Sequence, residues 1–201
     1  MLTDPGAEDI ALIGPMLKRP PDSLSKNIPQ IAVDGGIRFA VHPILWVGDG
    51  DLGALPTVVK TDQNETDLRF CLTGIRPWRW KTLHLLGFMG GRKDHELANL
   101  GEIYAELKIR KNFLKAVFYD EDGQACIHFH AAGEHEAVIQ GCFSILVFEP
   151  AKITISGACR YPAEELLLEP LSGRGISNEA SGLVKVASTL PFMLYPANSP
   201  S

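Results

Sequence analysis

No apolar run in this 201-residue sequence approaches the ~20 residues that span a bilayer, so no membrane-crossing helix is expected. There is no basic run, and the formal net charge of −5 gives no electrostatic footprint for nucleic acid. Cys71, Cys126, Cys142 and Cys159 form no C-x-x-C pair. Neither zinc nor a disulfide framework is therefore indicated, and the four read as small buried hydrophobes. The start, Met1-Leu2-Thr3-Asp4-Pro5, lacks the positive charge and apolar core of a signal peptide, which gives a cytoplasmic expectation. No internal repeat or low-complexity tract is visible. What remains is an ordinary globular composition, 45% hydrophobic and 21% charged, in a chain long enough for one large domain or two small ones.

The most informative stretch runs from Val47-Gly48-Asp49-Gly50-Asp51 through a short spacer to Asp62-Gln63-Asn64-Glu65-Thr66-Asp67. The apolar run Val41 to Val47, interrupted by His42 and Pro43, reads as a buried strand entering a loop. Asp49 and Asp51 then fall just past the strand's C-terminal end, where open α/β sheets bind ligands. Two carboxylates separated by one Gly suit a hard cation such as Mg²⁺ that bridges phosphates. Taken alone, Gly48 to Asp51 favours a solvated Asp-Gly turn; the second acidic cluster shifts the balance.

Ile10 to Pro15 predicts a first strand, Lys18 to Pro29 a loop, and Ile28 to Val33 a second strand ending in Asp34-Gly35-Gly36. Ile37 to Val41 suggests a helical turn before the strand at 44–47. Asp67 to Thr73 reads as a helix with Leu68, Cys71 and Leu72 on one face, capped by Asp62 or Thr66. Trp78 and Trp80 read as packing aromatics. The strand Lys81 to Phe88 runs into Met89-Gly90-Gly91-Arg92-Lys93-Asp94-His95, whose backbone N–H groups and guanidinium suit phosphate oxygens. A helix from Glu96 to Lys108 is expected to bury Leu97, Leu100, Tyr104 and Leu107, before a strand from Lys115 to Tyr119. From Gln124 the pattern changes to short strands: Gln124 to Phe129, Glu136 to Gln140, Phe143 to Phe148, Lys152 to Gly157 and Leu183 to Ser188. Ala163 to Leu168 is the one helical turn expected among them, and the tail from Pro196 to Ser201 is expected to fray. Strands with helices followed by strands alone argue for two domains, an α/β domain over 1–120 and a small sandwich or barrel over 121–201.

In this order, Val33-Asp34-Gly35-Gly36, Val47 to Asp51, Asp62-Gln63 with Thr66-Asp67, and Gly90 to His95 with Ala98-Asn99 resemble the thiamin pyrophosphokinase family. Ser144, Ser156-Gly157, Tyr161-Pro162 and Gly175-Ile176-Ser177-Asn178 extend the resemblance over nearly the whole chain from Ile10. It implies a Rossmann-like N-terminal α/β domain, a C-terminal β-sandwich and a homodimer. It also implies transfer of a diphosphoryl group from ATP to thiamin, leaving AMP. By the same resemblance Asp49, Asp51 and Asp67 handle Mg²⁺. Asp34, Gly35, Gly36, Gln63, Thr66, Gly90, Gly91, Arg92 and His95 bind the nucleotide, and Asp94 joins Arg92 in the catalytic set. Ser177 and Asn178 help form the acceptor pocket across the dimer. Asp67 or Asp94 is left as the group that accepts the acceptor's proton.

The chain departs from the family pattern at Gly50 and Leu52, where the family has Phe and Ser, and in the short, Pro-rich segment between the first two strands. No aromatic follows Asn178 until Phe192. Another acceptor, such as a hydroxymethylpterin, or a non-catalytic paralogue that binds nucleotide or thiamin diphosphate, stays open.

Overall fold

The computed structural model describes residues 3–20, 27–109 and 113–196. Part of the expected loop from Lys18 to Pro29, and the tail after Pro196, lie outside the described residues. The chain divides into two compact units, Met1–Glu102 with Ala116–Ala125, and Ile103–Lys115 with Cys126–Ser201. The class is mixed α/β, with strands predominating.

The first unit is built on β1 (Asp9–Ile13), β2 (Gln30–Val33), β3 (Leu45–Gly48), β4 (Val58–Val59), β5 (Thr82–Leu86) and β6 (Lys115–Tyr119). Their order is β6-β5-β1-β2-β3-β4, and the pairs β5–β1, β1–β2, β2–β3 and β3–β4 are all parallel. Ile10, Ala11, Leu12 and Ile13 are completely buried, as an uninterrupted apolar run in a central parallel strand must be. β1 has β2 on one side and β5 on the other, so the chain leaves its two flanks in opposite directions. The crevice past the strand ends at such a point is the favoured ligand position of open α/β sheets.

Two helices lie along this part of the chain, the second running on into residues 103–109 of the other unit. In α1 (Asp67–Ile75) the Thr66 hydroxyl accepts from the Arg69 N–H at 3.1 Å, so Thr66 rather than Asp62 is the cap. Leu68, Cys71, Leu72 and Ile75 form one buried stripe at helical spacing. In α2 (Lys93–Ile109) the buried residues are Glu96, Leu100, Ile103, Tyr104, Glu106 and Leu107, whereas Leu97 is 63% exposed. The stripe is therefore rotated by about one position from the expected one: Ile103 replaces Leu97, which points outward. Trp78 and Trp80 are buried. The expected turn over Ile37 to Val41 lies earlier, as a 3-10 turn over Asp34–Arg38.

The second unit holds β7 (Ala125–His130), β8 (Gly133–Leu146), β9 (Ala151–Cys159), β10 (Ala163–Leu168), β11 (Asn178–Ser188) and β12 (Phe192–Pro196). They run in the order β7-β12-β8-β11-β9-β10, and every pair with a resolved register is antiparallel. Phe143 and Ile145, Ile153 and Ile155, and Val184 and Val186 alternate into a core that Phe192 and Leu194 complete. The two strands expected over 136–148 are one: Gly141, at φ 92°, stays inside the ladder opposite Ala180 instead of turning. Ala163–Leu168 is a strand, not a helical turn, although Ala, Glu and Leu are strong helix formers. Pairing with β9, where Leu168 faces Ala151 and is buried, outweighs that local preference. Strand β12, for which the sequence offered no alternating signal, lies between β7 and β8. No helix among the described residues is long and apolar enough to cross a membrane.

Candidate functional site

A cavity of about 750 Å³ opens in the first unit past the ends of β1, β2 and β5, lined by Pro15 and Met16, Asp34, and Gly87 and Phe88 respectively. Residues 63–68 and Gly91, Arg92, His95, Glu96 and Asn99 complete it together with Lys60. Apolar walls with a few convergent polar groups are the usual make-up of a small-molecule site.

The turn after β2 is shaped by a close approach. A Cβ on Gly36 would stand 1.8 Å from the Ile13 carbonyl oxygen, so only glycine fits against the end of β1. Gly35 and Gly36 are buried there and do not line the cavity. Asp34 itself adopts φ 50°, a left-handed conformation uncommon for a residue with a side chain. Its carbonyl accepts the Trp46 indole N–H at 3.0 Å, which ties the turn to β3.

The turn after β3 brings the acidic pair alongside. The Asp51 N–H donates to Asp49 Oδ1 at 3.1 Å across Gly50, which has φ 87°. Carboxylate oxygens of Asp34, Asp49 and Asp51 all lie within 4.8 Å of one another. The neighbouring Asp49 charge, with burial and Asp34 adding to it, pushes the Asp51 carboxyl above its ordinary value. Three hard oxygen donors at this separation fit a divalent cation of the Mg²⁺ kind.

Asp67, placed with Asp49 and Asp51 by the family resemblance, stands outside that trio. Its Oδ1 is 3.3 Å from the ammonium of Lys60, a close ion pair without the alignment of a hydrogen bond. Burial raises the Asp67 carboxyl, and the Lys60 charge opposes the shift. Asp34, assigned to the nucleotide, takes Asp67's place among the converging carboxylates. Gln63 and Thr66 line the cavity, Thr66 while also capping α1.

Past β5 the expected phosphate loop is already engaged with carboxylates. The Gly90 N–H donates to Glu96 Oε1 at 2.7 Å, and Lys93 pairs with Glu96 Oε2 at 2.8 Å. Arg92 is bound through Nε and Nη2 to both oxygens of Asp94, which holds that carboxyl below its ordinary value. Gly91, Arg92 and His95 line the cavity; Gly90 and Asp94 do not. The Asn99 amide donates to the Phe88 carbonyl at 2.9 Å and fixes the loop's start.

Ser177 and Asn178 belong to the second unit. Asn178 is buried: its Oδ1 accepts from the Tyr161 and Glu179 N–H groups at 3.0 and 2.8 Å, and its Nδ2 donates to the Tyr161 carbonyl at 2.8 Å. Ser177, at φ 59°, donates its N–H to Ser144 Oγ at 3.2 Å. The amide of Asn178 thus ties the start of β11 to Tyr161, between β9 and β10.

Lys60 and Glu96 are the site residues that sequence reasoning missed. The signal available for Lys60 was a single cation between Val58-Val59 and an acidic run; for Glu96 it was a carboxylate one turn into a helix behind a Gly pair.

No protein-family model and no curated protein matches this sequence. Among solved structures, the thiamine pyrophosphokinase of Bacillus subtilis is similar at a TM-score of 0.72 and 21% identity, over 96% of this chain and 99% of that one. The thiamin pyrophosphokinase of Geobacillus thermodenitrificans gives 0.71 and 18%, over 96% and 99%. That of Candida albicans gives 0.68 and 13%, over 94% and 88%. The chain therefore has the thiamin pyrophosphokinase fold.

Proposed function

We propose that this fold carries the activity of its structural neighbours: transfer of a diphosphoryl group from ATP to the hydroxyl of thiamin, giving thiamin diphosphate and AMP. The observation that carries the reading is the convergence of Asp34, Asp49 and Asp51 beside a cavity large enough for a nucleotide. In the transfer the acceptor oxygen bonds to the β-phosphorus, the bridge to the α-phosphate breaks, and AMP leaves with that oxygen. Such reactions depend on positioning and charge neutralisation more than on covalent chemistry. Asp34, Asp49 and Asp51 would hold Mg²⁺, which when bound neutralises phosphate charge. Gln63, Thr66, Gly91, Arg92 and His95 would line the nucleotide, against the apolar wall of Met16 and Phe88. Of the two candidates for the acceptor's proton, Asp67 is better suited than Asp94, whose oxygens are both engaged by Arg92.

In this reading the first unit is a Rossmann-like catalytic domain, the second a β-sandwich-type domain, and the protein a cytoplasmic homodimer in which Ser177 and Asn178 border the acceptor pocket of the partner. A second reading, a nucleotide-binding paralogue without catalysis, is favoured by one observation. The Gly90 N–H and Arg92, the loop's phosphate donors, are occupied by Glu96 and Asp94.

Purified protein incubated with thiamin, ATP and Mg²⁺ decides between them. Stoichiometric AMP and thiamin diphosphate supports the first reading. AMP alone directs the search to other acceptors, pterins first. ATP binding without either product selects the paralogue.

A further inference from the structure

We propose that Lys60 is the protein's own cation for the terminal phosphates of the nucleotide, a role that rests on the diphosphokinase reading above. Lys60 follows β4, and its backbone N–H donates to the Gly48 carbonyl at 2.8 Å, which anchors it beside the strand end that carries Asp49. Its side chain is only 6% exposed yet lines the cavity. An ammonium taken out of water is costly unless its donors and charge are matched. Here the matching is partial. An ammonium has three N–H donors, and Lys60 Nζ gives one to the Glu65 carbonyl at 2.9 Å and faces Asp67 Oδ1 at 3.3 Å without alignment.

The rest of the cavity makes the same point by contrast. Arg92, the cation the sequence singles out for phosphate, is 74% exposed and doubly bound by Asp94. Lys93 is paired with Glu96 and does not line the cavity. Lys60 is the buried cation there, and it sits at the acidic end. Its partner Asp67 senses the charges of Asp34 and Asp49, the carboxylates that gather where a metal would meet the polyphosphate. A fixed ammonium near the converging carboxylates would add a second cation for the polyphosphate, and it would discriminate ATP from AMP, which lacks the phosphates it reaches. A purely structural Lys60, present only to neutralise Asp67, would affect every ligand alike.

The test is calorimetric titration of wild type, Lys60→Met and Lys60→Arg with ATP and with AMP in excess Mg²⁺, with thermal midpoints recorded for each. Loss of one charge-assisted contact should weaken ATP binding by ~10–100-fold in Lys60→Met, with less than about threefold change for AMP, and Lys60→Arg should recover most of it. Equal losses for ATP and AMP, or none, overturn the assignment while leaving the diphosphokinase reading in place. Wild-type protein that binds neither nucleotide overturns both. Should Lys60→Met not fold, amine acylation of wild type followed by peptide mass spectrometry probes the same contrast. Stronger protection of Lys60 by ATP than by AMP supports the assignment, and equal protection refutes it.

Discussion

Two glycine-to-alanine substitutions in the first unit should move stability in opposite directions, and the difference tests how the acidic site is held. At Gly36 an added Cβ would lie 1.8 Å from the Ile13 oxygen, 2.5 Å from the Ile13 carbonyl carbon and 3.0 Å from the Gly14 nitrogen. All three are backbone atoms of a central strand and its exit, so no side chain can rotate away. Relief requires the Asp34–Arg38 turn to move by more than about 1 Å, and overpacking of this kind costs about 3 kcal/mol. At Gly101, inside α2, a Cβ would meet nothing within 4 Å. There alanine removes the entropic cost of a helical glycine and stabilises by about 0.5–1 kcal/mol. For a chain of this length about 1 kcal/mol shifts the melting midpoint by roughly 2–4 °C. Gly36→Ala should therefore melt about 6–12 °C below wild type, and Gly101→Ala about 1–4 °C above it, by circular dichroism. Because Asp34 begins the displaced turn, Gly36→Ala should also lose Mg²⁺ affinity, read by titration of the folded protein. A Gly36→Ala protein with the wild-type midpoint and metal affinity would show that the turn is not wedged against β1 as described.

Further outcomes follow from the same geometry. Asp51→Ala should abolish AMP formation with the fold unchanged, and retained activity would remove Asp51 from the metal set. Arg92→Ala should weaken nucleotide binding modestly, about threefold, because Asp94 already shares its charge; full loss would mean that the Asp94 pair opens in the complex. Burial holds the imidazoles of His128 and His130 down to about 4 and about 3, so both stay neutral in the native state while unfolded chains take up protons near 6.5. Stability should thus be complete well above pH 6.5 and fall as the pH drops through 6.5 toward about 4 for His128 and about 3 for His130. His130→Phe, which keeps an aromatic ring against Phe192 and His135, should flatten that slope in acid melts. Phe143→Ala, at a completely buried position of β8, should cost about 3–5 kcal/mol in a denaturant titration.

The elements that were legible in the sequence are those whose signal is local. Thr66 sits two residues ahead of Leu68, where the apolar stripe of α1 begins, and a cap followed by helical spacing needs no tertiary information. The run Ile10 to Ile13 could scarcely be anything but a buried strand. Where local preference and long-range pairing disagree, the sequence misleads. Ala163–Leu168 carries helix formers into an edge strand, and Gly141 looks like a break although its backbone continues a 14-residue strand. Leu97 is misplaced by sequence pattern because a stripe drawn through Leu100 and Tyr104 can be tilted to either side, and only packing chooses. The acidic loops could be found by their composition. Which three carboxylates converge could not, because it depends on how the turns after β2 and β3 approach each other. Lys60 was invisible for a related reason: a lysine's burial belongs to the fold and not to its neighbours in sequence.

The central position of β1 also governs when the site can exist during synthesis. β1 leaves the ribosome well before β5, so one flank of its ladder waits for that strand, with Ile10 paired to Leu83. Until then one of the most apolar strands of the chain has an open edge, the condition in which nascent proteins associate with one another. The cavity needs α2 as well, since Glu96 and Asn99 hold its last loop. Ligand binding should therefore appear late and abruptly in a series of stalled nascent chains, only once the whole of α2 has emerged.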